Sequence, residues 1–416
     1  MAQVQARYSI GIDLGTTNSA MAFAPLQGAA GTEVFAVPQW ETLSSVAEAS
    51  TLPSFLYLPD EAAAAQLQGR ETGEGTWVVG RLARAKAGET PGRVAHSAKS
   101  WLCHHAADRS ARFLPWGSDD IAGEAKISPI RASALVLNAM RAAWDGRFAA
   151  SGSEFRFDAQ DITVTVPASF DAVAQRLTLQ AAKEAGFPAS VRLLEEPQAA
   201  FYRWLELHDG GGDLWQRLPD TGAASHHVLV VDIGGGTSDF SLFEVRPNAG
   251  TPTPDIKRVA VSDHILLGGD NMDLAIGHLF EPKLRQDAEP LSAIQWEHLV
   301  ARSRDLKERA LSGEGPPDEV FPVSIPGRGS GLIGGTLSAQ LDRAALEGVL
   351  IDGFFPECVA DDRPVRKQTA LKEWGLPFAA DSAVTRHLAG FLSGRPPVDA
   401  ILFKDRKSTR LNSSHR

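Results

Sequence analysis

Residues 228–245 contain the first candidate for chemistry, a glycine-rich turn between two apolar, strand-like segments. The turn holds an aspartate, three consecutive glycines and a threonine, namely Asp232, Gly234, Gly235, Gly236 and Thr237. Consecutive glycines expose backbone N–H groups and let the main chain approach an anion that side chains would push away. The pattern predicts a phosphate-binding loop, although a glycine-rich hairpin without a ligand is an equally good interpretation of one such stretch.

A second stretch of the same kind lies near the start of the chain. Residues 8–19 read YSIGIDLGTTNS, and its polar and glycine positions include Asp13, Gly15, Thr16, Thr17 and Asn18. Two strand–Asp–Gly–Thr–strand hairpins about 200 residues apart predict two similar half-molecules that face each other across a cleft. Each half would give one loop to a shared phosphate chain, so we expect a nucleoside triphosphate with its metal ion as the ligand.

A strand and a helix in residues 161–187 would support the first loop. Ile162, Val164 and Val166 alternate as in a half-buried strand, and Asp171 is placed to cap the helix that follows. A second unit of this kind follows at once along the chain. We therefore expect a mixed α/β architecture for the first half.

Three charged residues in the first half have more than one interpretation. Glu195 and Glu196 open the helix of the second unit, where the helix dipole favours acidic side chains by a few tenths to about one kcal/mol. The same position suits a ligand for a metal or a water, so both interpretations stay open. Lys99, in the segment SAKSWL, is by itself more typical of a solvated lysine at a helix end.

In the second half, the stretch LLGGDNMD joins a strand to a helix. Gly268 and Gly269 end the strand, and Asp270 is predicted to cap the helix. A further helix is predicted over residues 296–311, with a basic face that is more often a solvated surface than a ligand site.

Two other segments of the second half carry weaker signals. Residues 208–226 have no hydrophobic period and are predicted to form a surface loop between the two halves. Residues 337–355 are predicted to form a helix that returns to the second half.

Composition limits the classes of function. The chain has 416 residues, of which 43% are hydrophobic, and a net charge of −10. That much apolar content suffices for two or more cored domains, and the acidic balance disfavours binding to nucleic acid or to an anionic membrane. The sequence shows no secretory signal and no span long enough to cross a bilayer. The two cysteines, Cys103 and Cys358, have no metal-ligand spacing, so we expect a cytoplasmic protein in which both are packing residues.

These motifs together resemble the ATPase domain of DnaK-type seventy-kilodalton heat-shock chaperones, within the actin-like ATPase superfamily. The similar stretches are GIDLGTTNS, ITVTVPASFDAVAQR, LLEEPQAA, VVDIGGGTSDFS and LLGGDNMD, and the resemblance covers roughly residues 8–403. It implies an α/β, actin-like (ribonuclease H-like) fold with two lobes, each with a mixed β-sheet and helices, around a central nucleotide cleft.

The resemblance also implies a division of the chain. The first lobe would span residues 1–207 with a smaller subdomain at about 36–100, a connecting loop 208–226, and the second lobe 227–404 with a smaller subdomain at about 265–335. The remaining residues, 405–416, begin DRKSTRLNSSH, which matches the translation of a common sequencing-library adapter. We hypothesise that the native sequence stops near Phe403; resequencing that found codons unlike the adapter would refute this.

Functional roles follow from the resemblance position by position. Asp13 and Asp232 would hold Mg²⁺ through water, with K⁺ as a further candidate ion. Lys99 would position the attacking water, with Glu196 beside it, and either Glu196 or Asp232 would accept the proton. The residues implied to contact ATP or ADP are Gly15, Thr16, Thr17, Asn18, Gly234, Gly235, Gly236, Thr237, Gly268, Gly269, Arg304 and Lys307.

The sequence also departs from the family pattern. A glycine pair that contacts adenosine is expected after VDAILF and is absent, as are the interdomain linker and the peptide-binding domain. We therefore expect a truncated nucleotide-binding domain that binds ATP poorly, with J-domain and nucleotide-exchange co-chaperones as partners and client polypeptides bound only through the missing domain. The alternatives are a kinase of a small hydroxylated substrate, an actin-like filament subunit, or an inactive fragment.

Overall fold

The computed structural model describes residues 5–28, 31–67, 77–104, 107–207, 224–248, 253–285, 289–327, 335–365, 378–404 and 410–412, together with residues 215, 218, 250, 251 and 376. No helix within these residues is both long enough and apolar enough to cross a membrane.

The described residues form a mixture of strands and helices. The strands are β1 (Tyr8–Asp13), β2 (Asn18–Pro25), β3 (Glu33–Val34), β4 (Val37–Trp40), β5 (Val46–Ala49), β6 (Leu52–Pro53), β7 (Leu56–Tyr57), β8 (Val78–Val79), β9 (Val94–Ala95), β10 (Asp161–Val166), β11 (Arg192–Glu195), β12 (His226–Ile233), β13 (Ser238–Arg246), β14 (Asp255–Val261), β15 (Val320–Pro326), β16 (Thr336–Asp342), β17 (Ala400–Phe403) and β18 (Arg410–Asn412). The α-helices are α1 (Glu61–Leu67), α2 (Arg81–Ala87), α3 (Ala98–Leu102), α4 (Pro129–Phe148), α5 (Ala172–Glu184), α6 (Glu196–Leu207), α7 (Gly269–Leu284), α8 (Ala293–Ala310), α9 (Arg343–Glu347) and α10 (Val384–Leu392).

The first large sheet has the strand order β11-β10-β1-β2-β3, and the short strand β6 pairs with β2. β1 pairs antiparallel with β2 and parallel with β10, which in turn pairs parallel with β11. β10 buries Ile162, Val164 and Val166 on one face, as their alternation predicts. Asp171 caps α5 as predicted, because its side chain accepts a hydrogen bond from the N–H of Ala174 at 2.7 Å.

The second large sheet repeats the central part of the first, although its edge strand β18 is antiparallel to β17 whereas β11 is parallel to β10. Its order is β14-β13-β12-β17-β18, with β12 antiparallel to β13 and parallel to β17. In each sheet, the first strand of a hairpin has an aspartate at its last or next-to-last position, and a parallel strand from much later in the chain pairs with its other side. The structure is thus α/β, with the same connectivity used twice.

Each sheet is covered by helices that bury one apolar face. Helices α4 and α5 pack together beside the first sheet, in a core that contains Ile10 and Trp144. Helices α7 and α8 pack together in a core that contains Phe240, Ile276 and Leu299 from the second part of the chain. Burial of such side chains contributes about 1.5–3 kcal/mol each, so these two cores hold the sheets in place.

Smaller sheets extend the two parts. Strands β7, β8 and β9 form a three-stranded sheet next to α2, and β4 pairs with β5. Strands β15 and β16 form a separate antiparallel hairpin, and β15 packs on α8.

The predicted helix over residues 337–355 was wrong for its first part. Residues 336–342 form strand β16, because Leu337 and Leu341 are buried and the residues between them alternate with a period of two along β15. Helix α9 begins only at Arg343 and continues into a π-helical turn, Gly348–Asp352.

Two further predictions at element ends were also wrong. The N-cap of α7 is Gly268 rather than Asp270, and the Asn271 side chain accepts the Gly268 N–H at 2.9 Å. His226, placed in the connecting loop, begins β12, whereas most of residues 208–226 lie outside the described residues. Of the tail, residues 410–412 pair with β17, while 405–409 and 413–416 lie outside the described residues, so the adapter hypothesis stays a prediction.

Candidate functional site

The first phosphate-loop candidate is the turn between β1 and β2. β1 ends at Asp13, and β2 begins at Asn18. The Gly15 N–H donates to Ser19 Oγ at 3.2 Å, and Ser54 Oγ donates to the Gly15 carbonyl at 2.7 Å. The buried hydroxyls of Ser19 and Ser54 hold the turn on the side of the protein core. Gly15, Thr16 and Thr17 line the cleft on the other side.

The second candidate is the turn between β12 and β13. The Gly234 N–H donates to the Thr237 carbonyl at 2.8 Å and closes the turn. The start of α7 lies directly on it, because Gly269 N–H donates to the Gly234 carbonyl at 3.0 Å and Asp270 N–H donates to the Gly235 carbonyl at 2.6 Å. A Cβ on Gly268 would lie 2.6 Å from that Gly234 oxygen, so only glycine permits this packing.

The two turns are in contact with each other. A Cβ on Gly235 would lie 1.7 Å from Thr17 Oγ1, and a Cβ on Gly236 would lie 2.5 Å from Ser100 Oγ and 2.9 Å from Thr16 Cγ2. Two hairpins from different sheets therefore meet at glycines, and a cleft of about 310 Å³ lies beside the contact.

A buried ion pair forms one wall of this cleft. Lys99 Nζ donates to Glu196 Oε1 at 2.5 Å, and the two side chains are only 10% and 6% exposed. Lys99 is in the short helix α3, and Glu196 is the first residue of α6. A lysine buried against a carboxylate in a cleft is not the solvated helix-end lysine of the alternative interpretation.

Three carboxylates surround a second ammonium group in the cleft. Lys404 Nζ lies 2.8 Å from Glu196 Oε2, 2.9 Å from Asp232 Oδ2 and 3.9 Å from Asp13 Oδ2. The two aspartates that end β1 and precede the glycine turn in β12 thus face the same positive charge. An ammonium group here stands at a position that a cation can occupy.

The charges of these groups perturb one another. Burial opposes the charge of Glu196, but Lys404 and Lys99 outweigh it and hold the pKa of this carboxyl well below its usual range. Burial raises the pKa of Asp232 above its usual value, although Lys404 opposes this and the charge of Glu196 adds to it. Burial alone would lower the pKa of Lys404. The carboxylates of Asp13, Glu196 and Asp232 outweigh burial and raise that pKa well above its usual value.

Helix α8 contributes two basic residues to the same cleft. Arg304 Nε donates to Asp273 Oδ2 at 3.0 Å, and Lys307 Nζ lies 2.5 Å from Asp273 Oδ1. Lys307 also donates to the Gly269 carbonyl at 2.6 Å. The side chains of Arg304 and Lys307 therefore connect α8 to α7. The alternative interpretation of this basic face as a solvated surface does not predict these contacts.

A family model described as Hsp70 protein matches residues 93–312, which is more than half of the chain. The chain belongs to the Hsp70 family.

Several curated relatives of this Hsp70 chain are bacterial chaperones. It is 29% identical over 409 residues to the chaperone protein HscA of Serratia proteamaculans, covering 95% of this chain and 56% of the relative. It is 31% identical over 294 residues to HscA of Edwardsiella ictaluri and 30% identical over 294 residues to HscA of an Enterobacter species, in each case covering 68% of this chain and 38% of the relative. The chain thus spans about half of the length of these relatives, or less.

The cleft of this Hsp70 chain brings together most of the residues predicted from sequence. Those that line it are Asp13, Gly15, Thr16, Thr17, Asn18, Lys99, Glu196, Asp232, Gly234, Gly235, Thr237, Arg304 and Lys307. Gly236, Gly268 and Gly269 do not line it and instead lie where neighbouring loops pack closely.

Four residues that line the cleft were not among the predicted site residues, namely Ile233, Asp270, Glu308 and Lys404. Asp270 belonged to a quoted motif but was assigned to a helix cap. Lys404 directly follows β17, and neither a period nor the local composition indicates that it belongs to a site. Only the fold shows that this lysine lies in the cleft.

The lining fits a phosphate ligand with a hydrated cation. Among the described residues, the buried hydroxyl oxygens of Thr17 and Ser100 have no hydrogen-bond partner, and both lie against the glycine turn. No three His, Cys, Asp or Glu side chains in the described part of the chain form a metal cage. Mg²⁺ keeps several waters and is usually bound through one or two carboxylates together with substrate phosphates. Asp13 and Asp232 can supply the carboxylates of such a set.

Proposed function

We propose that this Hsp70 chain is a cytoplasmic ATP-binding and ATP-hydrolysing module, whose nucleotide state controls closure of the cleft in a chaperone. The single observation that carries the proposal is the contact between the two hairpins, with Asp13 and Asp232 facing one cation position. Hsp70 proteins are ATPases, and the relatives named above are called chaperones.

The two glycine-threonine turns and the two aspartates have separate roles in this proposal. The backbone N–H groups of the glycine turn and the hydroxyls of Thr16 and Thr17 cradle the phosphates. Asp13 and Asp232 hold Mg²⁺ through water, and the ion neutralises charge on the phosphates when bound. Positioning and electrostatic stabilisation then supply most of the rate enhancement.

The Lys99–Glu196 pair handles the attacking water in this proposal. Glu196 holds the Lys99 ammonium in place, and that ammonium orients the water toward the terminal phosphate. Either Glu196 or Asp232 accepts the proton of that water, since both carboxylates lie in the cleft with Lys99.

ATP turnover by the purified chain, with Mg²⁺ present, tests the proposal. Replacing Lys99 by Ala should lower kcat about 100-fold, because one preorganised electrostatic contact to the reacting group is lost. The affinity for ATP should change by no more than about threefold, because the other phosphate contacts remain. Lys257→Ala, an exposed lysine on β14, is the matched control and should turn over ATP normally.

Three outcomes would favour other functions. Turnover that depends on a small hydroxylated substrate indicates a kinase, and nucleotide-dependent sedimentation indicates a filament subunit. A chain that binds no nucleotide in a calorimetric titration is an inactive fragment, and the proposal fails.

Co-chaperones of the J-domain and nucleotide-exchange types are the partners we propose for the whole protein.

A further inference from the structure

Ser97, which directly precedes the helix of Lys99, has an unusual backbone. Its φ of 54° and ψ of 25° lie in the left-handed region, and it is the only non-glycine residue with a positive φ in the described part of the chain. A residue with a Cβ is disfavoured there, and such conformations persist only where the surroundings hold them. Contacts with neighbouring residues must therefore hold Ser97 in this conformation.

The contact that fixes Ser97 crosses between the two parts of the chain. Ser97 Oγ donates to Asp270 Oδ2 at 2.8 Å, and both side chains are buried. His96 Nδ1 lies 3.0 Å from the same hydroxyl, and burial lowers the pKa of His96 to about 4, so the imidazole is neutral near pH 7. A hydroxyl that donates to a buried carboxylate forms a charge-assisted hydrogen bond, which is stronger than a neutral one.

Asp270 joins this bond to the second glycine turn. Its backbone N–H donates to the Gly235 carbonyl at 2.6 Å, while its Oδ1 lies 3.7 Å from Arg304 Nη2. One residue therefore contacts the N-terminus of α3 through its side chain and the phosphate turn through its backbone. These two contacts connect the start of the Lys99 helix to the second glycine turn.

We propose that Ser97 and Asp270 are positioning residues that place Lys99 at the reacting phosphate only when the two hairpins are in contact. Neither residue has to touch the nucleotide. When the cleft opens, the Ser97–Asp270 bond breaks. Helix α3 then keeps its packing on α4 and the Lys99–Glu196 pair, but it loses the contact that sets Lys99 relative to the phosphate turn, so Lys99 is in its working position only in the closed form. This inference rests on the proposed ATPase function.

Turnover of a small set of variants tests the proposal. Ser97→Gly removes the hydroxyl and accepts a φ of 54° without strain, whereas Ser97→Ala removes the hydroxyl and keeps the Cβ. Both should lower kcat about tenfold, since a hydrogen bond to a charged group is lost, and should leave KM for ATP within about twofold. Ser133→Ala is the matched control, because its buried hydroxyl bonds only within α4, to the Pro129 carbonyl at 2.9 Å.

A double variant separates this bond from other effects of each residue. Asp270→Asn alone should also lower kcat, because the hydrogen bond to a charged carboxylate becomes a neutral one. Adding Ser97→Gly to Asp270→Asn should cost less than Ser97→Gly costs in the unmodified chain, since the two residues act through one contact. Fully additive losses would overturn the proposal.

Hydrogen exchange gives a readout that does not depend on catalysis. In Ser97→Gly, the amides of α3 should exchange faster, while those of α4 should not. Unchanged exchange in α3 would overturn the anchor, and faster exchange with normal kcat would show a structural contact without a positioning role. If the unmodified chain lacks ATPase activity, the proposed function fails, and the exchange result still decides whether Ser97 anchors α3.

Discussion

Gly235 lies at a point where no side chain fits between the two hairpins. Its φ is not in the left-handed region, so its backbone alone does not require glycine. The requirement comes from Thr17, whose Oγ1 would lie 1.7 Å from an added Cβ, far inside any real contact. The glycine is needed for the approach of two loops, and the approach builds the phosphate site.

Gly235→Ala should therefore keep the two hairpins apart. We expect ATP affinity to fall at least about tenfold, because the cradle loses phosphate contacts that are each worth about 1.5 kcal/mol or more. Gly123→Ala is the matched control, since an added Cβ there would meet nothing within 4 Å and the residue does not line the cleft. Calorimetric titration with Mg·ATP measures both variants, and equal affinities would show that the hairpins need not touch.

At the scale of elements, α2 and α8 face each other across a cleft of about 520 Å³. Arg84 Nη2 on α2 lies 2.6 Å from Glu308 Oε2 and 3.9 Å from Asp305 Oδ1 on α8. His298 Nδ1 on α8 also lies 3.2 Å from the Gly88 carbonyl at the end of α2. These contacts join the smaller sheet beside α2 to the helix that lines the nucleotide site.

Arg84→Ala should speed the release of nucleotide. The bridge is partly exposed, so its loss should cost at most about 1 kcal/mol and accelerate release up to about fivefold. Arg81→Ala on the same helix is the matched control, because Arg81 pairs at 3.3 Å with Glu41, which is on the same side of the cleft. Stopped-flow release of a fluorescent ADP distinguishes the two; equal rates would mean that the bridge does not restrain opening.

The sequence predicted best those elements whose signals are local. The two Asp–Gly–Thr turns and the alternation in β10 were visible without the structure, because the chemistry and the period lie within about ten residues. The alternation of Leu337 and Leu341 was equally local and was misinterpreted as helical. The Ser97–Asp270 bond could not be predicted, since it joins residues 173 apart through packing that neither local pattern encodes.

At the scale of the whole molecule, the repeated sheet explains why the acidic groups converge. In both sheets, the strand that starts the hairpin lies beside a parallel strand, β10 or β17, so the two strands run in the same direction toward the cleft. Asp13 and Asp232 stand near the ends of β1 and β12, and Lys404 directly follows β17. The ammonium of Lys404 is thus delivered by the fold to the place where the cation of a nucleotide would be held.

Lys404 should therefore compete with Mg²⁺. Lys404→Asn removes the ammonium, so Mg·ATP should bind at least about tenfold more tightly than to the parent chain, since breaking the Lys404 contacts no longer opposes binding. At a free ligand concentration of 100 Kd, binding should stabilise the variant by about 2.7 kcal/mol, seen as a raised Tm.

Without Mg²⁺, Lys404→Asn should be less stable than the parent chain. Asp232 and Asp13 then have lost the ammonium of Lys404 and Glu196 keeps only Lys99, so in EDTA the variant should unfold at a lower temperature than the parent. Lys257→Asn is the control and should change neither measurement, because that side chain is exposed on β14. A parent chain that binds Mg·ATP as tightly as Lys404→Asn would show that the ammonium and the metal do not share one position.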